Sequence, residues 1–157
     1  MPTFDNLKGL KKYIDESLKS VVKENVKNEI ITTIKEHIDS DVYDVYPNPE
    51  EYERKHYLEN SLVGKTFETS NGVGLIVEHD ESKMNYYSVV SGDKVSGNAV
   101  ASWIEHGQIH PLWGDDYAYL DERPYMSNSK EELIQENVIP HVMKKHLKKL
   151  GIDSTVL

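Results

Sequence analysis

Residues 7–38 read LKGLKKYIDESLKSVVKENVKNEIITTIKEHI, and this stretch decides what kind of fold the chain builds. Leu7, Leu10, Ile14, Leu18, Val21, Val22, Val26, Ile30, Ile31, Ile34 and Ile38 recur at three- and four-residue steps, with Lys, Glu and Asn between them. That is the period of an amphipathic helix, whose apolar side chains share one face. No proline interrupts residues 3–46. A single long helix from Asp5 to Ile38 is therefore expected, on the order of 50 Å at 1.5 Å per residue. Such a helix outreaches a domain of this size. Its stripe either covers a neighbouring subunit in part, is shortened by a break or bend near Asn25, or packs wholly on its own sheet.

Beyond Asp39-Ser40-Asp41 the pattern changes, and residues 41–61 read as an aromatic and proline-bearing loop, because Pro47-Asn48-Pro49 stops any helix. Residues 62–106 read as a small antiparallel sheet of three to four strands. Leu62 to Thr69 and Val73 to His79 flank Asn71-Gly72, a tight-turn dipeptide, and Tyr86 to Val90 is the third strand. Ala99 to His106 fits either a fourth strand or a short helix. Residues 107–128 read as a long exposed loop, of the length that often carries function. A C-terminal helix over 129–150 closes the chain, with Ser129 and Glu132 as a capping box and Gly151 as its stop. Pro140 should kink that helix or split it in two. The fold class expected is α+β, in a single domain spanning 1–157.

Composition limits what this domain can do. With 157 residues, 38% hydrophobic and 29% charged, it has room for one modest core. Its mean hydropathy of -0.61 marks a largely polar surface. There is no cysteine, which excludes disulfides, thiolate catalysis and cysteine zinc sites. No stretch approaches the roughly 18 apolar residues of a membrane span, and Met1-Pro2-Thr3-Phe4-Asp5 does not read as a signal peptide, so synthesis in the cytoplasm and no membrane partner are expected. The net charge of -9 is concentrated centrally: residues 41–127 hold six basic and sixteen acidic residues. An acidic body does not grip phosphate backbones; it either keeps the domain soluble or lets DNA pass without sticking.

Two islands stand apart from these patterns. One is Tyr43-Asp44-Val45-Tyr46-Pro47 with Tyr52-Glu53-Arg54 and Leu58-Glu59-Asn60-Ser61-Leu62; the other is Trp103-Ile104-Glu105-His106-Gly107 with Glu122-Arg123-Pro124-Tyr125-Met126. Tyr43, Tyr46, Tyr52, Arg54, Glu105, Trp113, Arg123 and Tyr125 are the candidate protein-interface residues. Tyrosine and arginine are enriched at interface centres, although aromatic residues serve core packing equally well. Arg123, on the fixed backbone before Pro124, offers a planar fork to a carboxylate such as Glu105. That pair would staple a loop within one subunit or close a contact between two.

No catalytic, cofactor or metal site is expected. His106 and His110 beside Glu105 lack the HExxH pattern, and Asp115-Asp116 with Asp121-Glu122 matches no calcium loop. His141 and His146 are five apart, off a shared helical face. No serine sits in a GxSxG elbow, and Ser70-Asn71-Gly72-Val73-Gly74 is too short for a phosphate cradle.

The order of these features resembles the head-tail joining and tail-completion family of long-tailed bacteriophages. The resemblance runs through the long first helix, Tyr52-x-Arg54-x-x-x-Leu58-x-x-Ser61-Leu62, the sheet, Trp103-Ile104-Glu105-His106-Gly107, Arg123-Pro124-Tyr125-Met126 and the last helix. Lys55-His56 departs from the Thr-Gly usual in that family. The resemblance implies a structural neck protein of the virion, assembled as a ring, hexamer or dodecamer, that joins capsid to tail and lets double-stranded DNA through without specific binding. Its implied partners are copies of itself, the connector or stopper, and the tail terminator or tail tube. A tail terminator ring is the near alternative; a small metal-dependent nuclease and a host-directed adaptor are the alternatives from other classes.

Overall fold

A computed structural model of the chain describes residues 4, 6–45, 54–70, 72–88, 91–109 and 118–153. The protein is α+β, with a long N-terminal helix, short antiparallel strand pairs and C-terminal helices. It divides into two compact units: residues 1–32, 64–77 and 132–157 form one, and residues 33–63 and 78–131 form the other.

The first helix starts at Leu7, capped by the Asn6 side chain accepting from the Gly9 N–H at 2.8 Å. It stays helical to Tyr43, past the expected end at Ile38. α1 (Leu7–Val21) and α2 (Lys27–His37) are joined by a π turn at Val22–Val26, and a second π turn, Ile38–Tyr43, follows α2. Asn25 therefore marks a widened turn and no break. The cause is legible in the spacing of Val22, Val26, Ile30, Ile34, Ile38 and Val42, every fourth residue. At 3.6 residues per turn such a stripe drifts about 40° per step, and i→i+5 turns absorb the drift. Five of the six are buried.

In the first unit, Val21, Val22 and Val26 pack against Leu147, with Val73, Leu75, Ile139 and Val142 around them. β1 (Leu62–Thr69) and β2 (Gly72–His79) pair as a two-stranded sheet, joined through Ser70 and Asn71. Asn71 itself lies outside the described residues. α6 (Val138–Lys149) closes on Gly151 at φ 78, with the Ile152 N–H bonded to the Leu147 carbonyl at 2.9 Å and Gly151 to Lys148 at 3.0 Å.

The second unit is built from α3 (Tyr57–Ser61), β3 (Tyr86–Tyr87), β4 (Lys94–Val95), α4 (Gly97–His106), β5 (Gln108–Ile109), β6 (Ala118–Leu120) and residues 125–131 of α5 (Tyr125–Gln135). Its buried side chains include Ile34, Ile38, Leu58, Leu62, Met84, Ala101 and Tyr125. The strands do not merge into one sheet of three or four: β3 pairs only with β4 and β5 with β6 among the described residues. The third strand stops at Tyr87, and Val89 and Val90 lie outside the described residues. Ala99 to His106 is helix, because Ser96 caps it by accepting from the Ala99 N–H at 3.3 Å. The expected 107–128 loop holds β5, β6 and the start of α5.

The C-terminal helix is two helices, α5 beginning at Tyr125 rather than Ser129. Ser129 is no cap; it is buried, and its hydroxyl donates to the Tyr125 carbonyl at 2.5 Å. The split falls at Asn137, which takes φ 50, and Pro140 sits in the first turn of α6, where a missing N–H costs no intrahelical bond. Charge follows the division into units. The first holds eleven lysines against nine acids, net +2, and the second seven basic against eighteen acidic residues, net -11.

Candidate functional site

The first turn of α5 gathers the second unit. Arg123 donates its backbone N–H to the Ile104 carbonyl at 2.8 Å, and the Pro124 carbonyl accepts the first helical bond, from Asn128. Proline loses nothing there, since its absent N–H would have had no helical partner.

Glu105, in the last turn of α4 and only 8% exposed, takes the helix start with its carboxylate. It accepts from the Met126 N–H at 2.9 Å, the Ser127 N–H at 3.0 Å and the Ser127 hydroxyl at 2.6 Å. Two N–H groups with no carbonyl of their own helix in reach are thus satisfied by a negative charge at the positive end of α5. A carboxylate twenty-one residues away does the work that a local capping box would do.

Tyr125, 1% exposed, holds the next contact. Its phenol lies 2.7 Å from Nε2 of His79, at the end of β2, and Nδ1 of His79 lies 2.7 Å from the Ser61 hydroxyl. The Ser61 hydroxyl donates to the Leu58 carbonyl at 2.9 Å, so Nδ1 carries the imidazole proton and Nε2 accepts from the phenol. Burial holds the His79 pKa below its ordinary value, partly countered by the Leu58 carbonyl. Burial, then the Glu105 charge, pushes the Tyr125 phenol well above its ordinary range. Each proton in this chain of bonds has one acceptor, and burial favours the neutral histidine.

Ser61 and His79 superficially resemble a nucleophile and its base. The proton order runs the wrong way, because His79 donates to Ser61 and has no vacant nitrogen facing it. Ser61 is also fully buried at 0%. This chain of bonds ties Ser61, His79 and Tyr125 to one another within the second unit.

Asn128 adds a third tie. Its amide donates to Asp41 at 2.9 Å, in the second π turn, where Asp41 also meets Nδ1 of His37 at 2.9 Å and the Ser40 hydroxyl at 2.7 Å. Burial works against the Asp41 carboxylate, but these three hydrogen bonds outweigh it and hold its pKa below the usual value.

Among the candidate interface residues, Tyr43 is buried at 9%, with the Arg54 guanidinium 4.6 Å from its ring centre. Arg54 also donates to the Tyr43 carbonyl at 3.2 Å, so these two form a clamp within the chain. Burial keeps Tyr43 protonated well beyond the ordinary range. Tyr46, Tyr52 and Trp113 lie outside the described residues, as do His110, Asp115 and Asp116. Glu105 and Tyr125 meet at the α5 start, and Arg123 is half-buried there. Sequence reasoning missed His79, Asn128 and Asp41. A signal for His79 existed, because Val73, Leu75, Val77 and His79 share one strand parity. No group of three or more His, Asp or Glu among the described residues is arranged to hold a metal ion.

The site is therefore a buried hydrogen-bonded junction in an α+β protein. Comparison with known proteins adds its origin: the chain is 32% identical over 155 residues to the SPbeta prophage-derived uncharacterized protein YomN of Bacillus subtilis (strain 168), covering 94% of this chain and 96% of the relative. It belongs to the YomN family, whose model matches residues 6–149, and the prophage relative marks it as a phage-derived protein. No solved structure matches it.

Proposed function

We propose that this protein is a structural component of the phage neck, a tail-completion or head-tail joining protein that assembles as a ring and lets DNA through. The observation that carries this reading is the convergence of all three motif segments on one junction. Leu58 and Ser61 from the first, Ile104 and Glu105 from the second, and Arg123, Tyr125 and Met126 from the third are bonded together within the second unit. Motifs that share sequence order with the neck proteins thus build one hydrogen-bonded junction, which suits a ring subunit under load. Phage ancestry supports the same reading. The -11 charge of this unit suits a surface past which DNA slides, since phosphate finds no cationic grip. The partners are copies of itself, the connector or stopper, and the tail terminator or tail tube.

Deletion of the gene from an inducible phage, followed by electron microscopy of the lysate, tests the proposal. DNA-filled heads and tails of normal length that remain unjoined are expected, with joining restored by the gene in trans. Tails of uncontrolled length would assign the terminator role instead. Joined, infectious particles lacking the protein would refute both.

A further inference from the structure

The apolar stripe of α1 continues past the element that covers it. Val21 is buried, and Leu18 packs against the same cluster, but the stripe runs on to Leu10, 37% exposed, and Leu7, 83% exposed. The reason is where α6 stops. Its end at Gly151 lies beside Tyr13, whose hydroxyl donates to the Leu150 carbonyl at 2.7 Å, so no described element covers the two helical turns before Tyr13. Phe4 leans on the Tyr13 ring at 5.1 Å between centroids and remains 37% exposed, and Leu150 is 38% exposed. The result is an apolar tip. Lys8 and Lys11 adjoin Leu7 and Leu10 along the helix, as Lys148 and Lys149 precede Leu150; all four are exposed, and no carboxylate of the described residues forms an ion pair with them.

We infer that this lysine-rimmed tip docks on the acidic unit, residues 33–63 and 78–131, of a second copy of the chain. The charge division chooses the occupant: the tip belongs to the +2 unit, and the other unit of every copy carries -11. That acidic unit also exposes Tyr87 at 62% and Val45 at 52%, apolar side chains for the tip to meet. Unlike faces joined in this way make a head-to-tail contact, which closes into a ring when the rotation allows. Opposed charges set the encounter and register, and the apolar tip supplies the desolvated centre. The inference rests on the ring reading above and moves the subunit contact away from Tyr43 and Arg54, which are engaged internally.

Sedimentation velocity on the purified full chain, with zero-length carbodiimide cross-linking of mixed isotope-labelled and unlabelled copies, tests it. Concentration-dependent association is expected in low salt, weakened in 1 M salt where screening shortens to about 3 Å. Links should join Lys8, Lys11, Lys148 or Lys149 of one copy to carboxylates within 33–63 or 78–131 of another. Leu7→Asp, and separately Lys8→Glu with Lys11→Glu, should each weaken association about tenfold or more while leaving the unfolding midpoint unchanged, because these side chains are exposed. A chain that stays monomeric in low salt, variants that associate like the parent, or links confined to other surfaces would each overturn the inference. Failure here is separate from failure of the neck reading, which the deletion lysate decides.

Discussion

Replacing Glu105 by alanine removes three hydrogen bonds from the start of α5 at once. The carboxylate is 8% exposed and accepts three hydrogen bonds at 2.6–3.0 Å from two consecutive residues of α5. Bonds to a charged group are worth about 1.5–3 kcal/mol each in isolation, but they act as a unit with the helix-end charge effect, and losing an N-cap typically costs about 1–2 kcal/mol. Two N–H groups are left without the carboxylate, so a total near 3 kcal/mol is the expected loss for Glu105→Ala. Glu105→Gln keeps an acceptor but sets an amide N–H₂ against N–H donors and should cost about 1–2 kcal/mol. Trp103, in α4, belongs to the second unit, so tryptophan emission during urea unfolding reports on it. With a slope of about 2 kcal/mol per molar urea, the alanine variant should unfold about 1.5 M earlier at unchanged slope. Ser127→Ala made together with Glu105→Ala should add little, because both remove one shared contact. A midpoint shift under about 0.25 M for Glu105→Ala would refute the capping role.

The other expectations concern separate contacts. His79 has a folded pKa depressed by burial, so as pH falls below about 6.5 the unfolded chain takes up a proton that the folded chain refuses, and stability should drop by up to about 1.4 kcal/mol per pH unit. Its share is present in full above that pH, and His79→Gln should flatten this part of a stability curve measured by urea titration between pH 5 and 8, pH values chosen to bracket about 6.5. Arg54→Lys keeps the charge but loses the planar contact over Tyr43 and the bond to its carbonyl, and should lower stability by about 1 kcal/mol in thermal unfolding. Gly97→Ala would drive a methyl into the Cβ of fully buried Met84, which cannot swing away, and should cost about 1–3 kcal/mol by the same assay.

The α+β class, the long first helix, the β1–β2 pair and the stop at Gly151 are all readable from local rules, since each depends on a periodicity or a residue with special backbone freedom. Where local rules failed, a distant partner had intervened. Ser129-x-x-Glu132 satisfies the capping-box pattern, yet the helix starts four residues earlier because Glu105 caps it from another helix. The α1–α2 helix showed no break at Asn25 because its four-residue stripe could be kept aligned by a widened turn. Spacing offered Glu105, among other carboxylates, as a partner for Arg123, and did not show that this carboxylate also takes backbone N–H groups of α5.

By itself, then, the order of side chains along the chain determined which segments coil, which extend and that the charge is uneven, because neighbours within four or five positions govern those outcomes. Only the tertiary structure decided that Ser61, His79 and Tyr125 share protons, that Asp41 meets Asn128 eighty-seven residues away, and that Leu7 is left uncovered. Hydrogen-bond partners and burial depend on which elements come to lie side by side, and spacing along one segment carries no record of that.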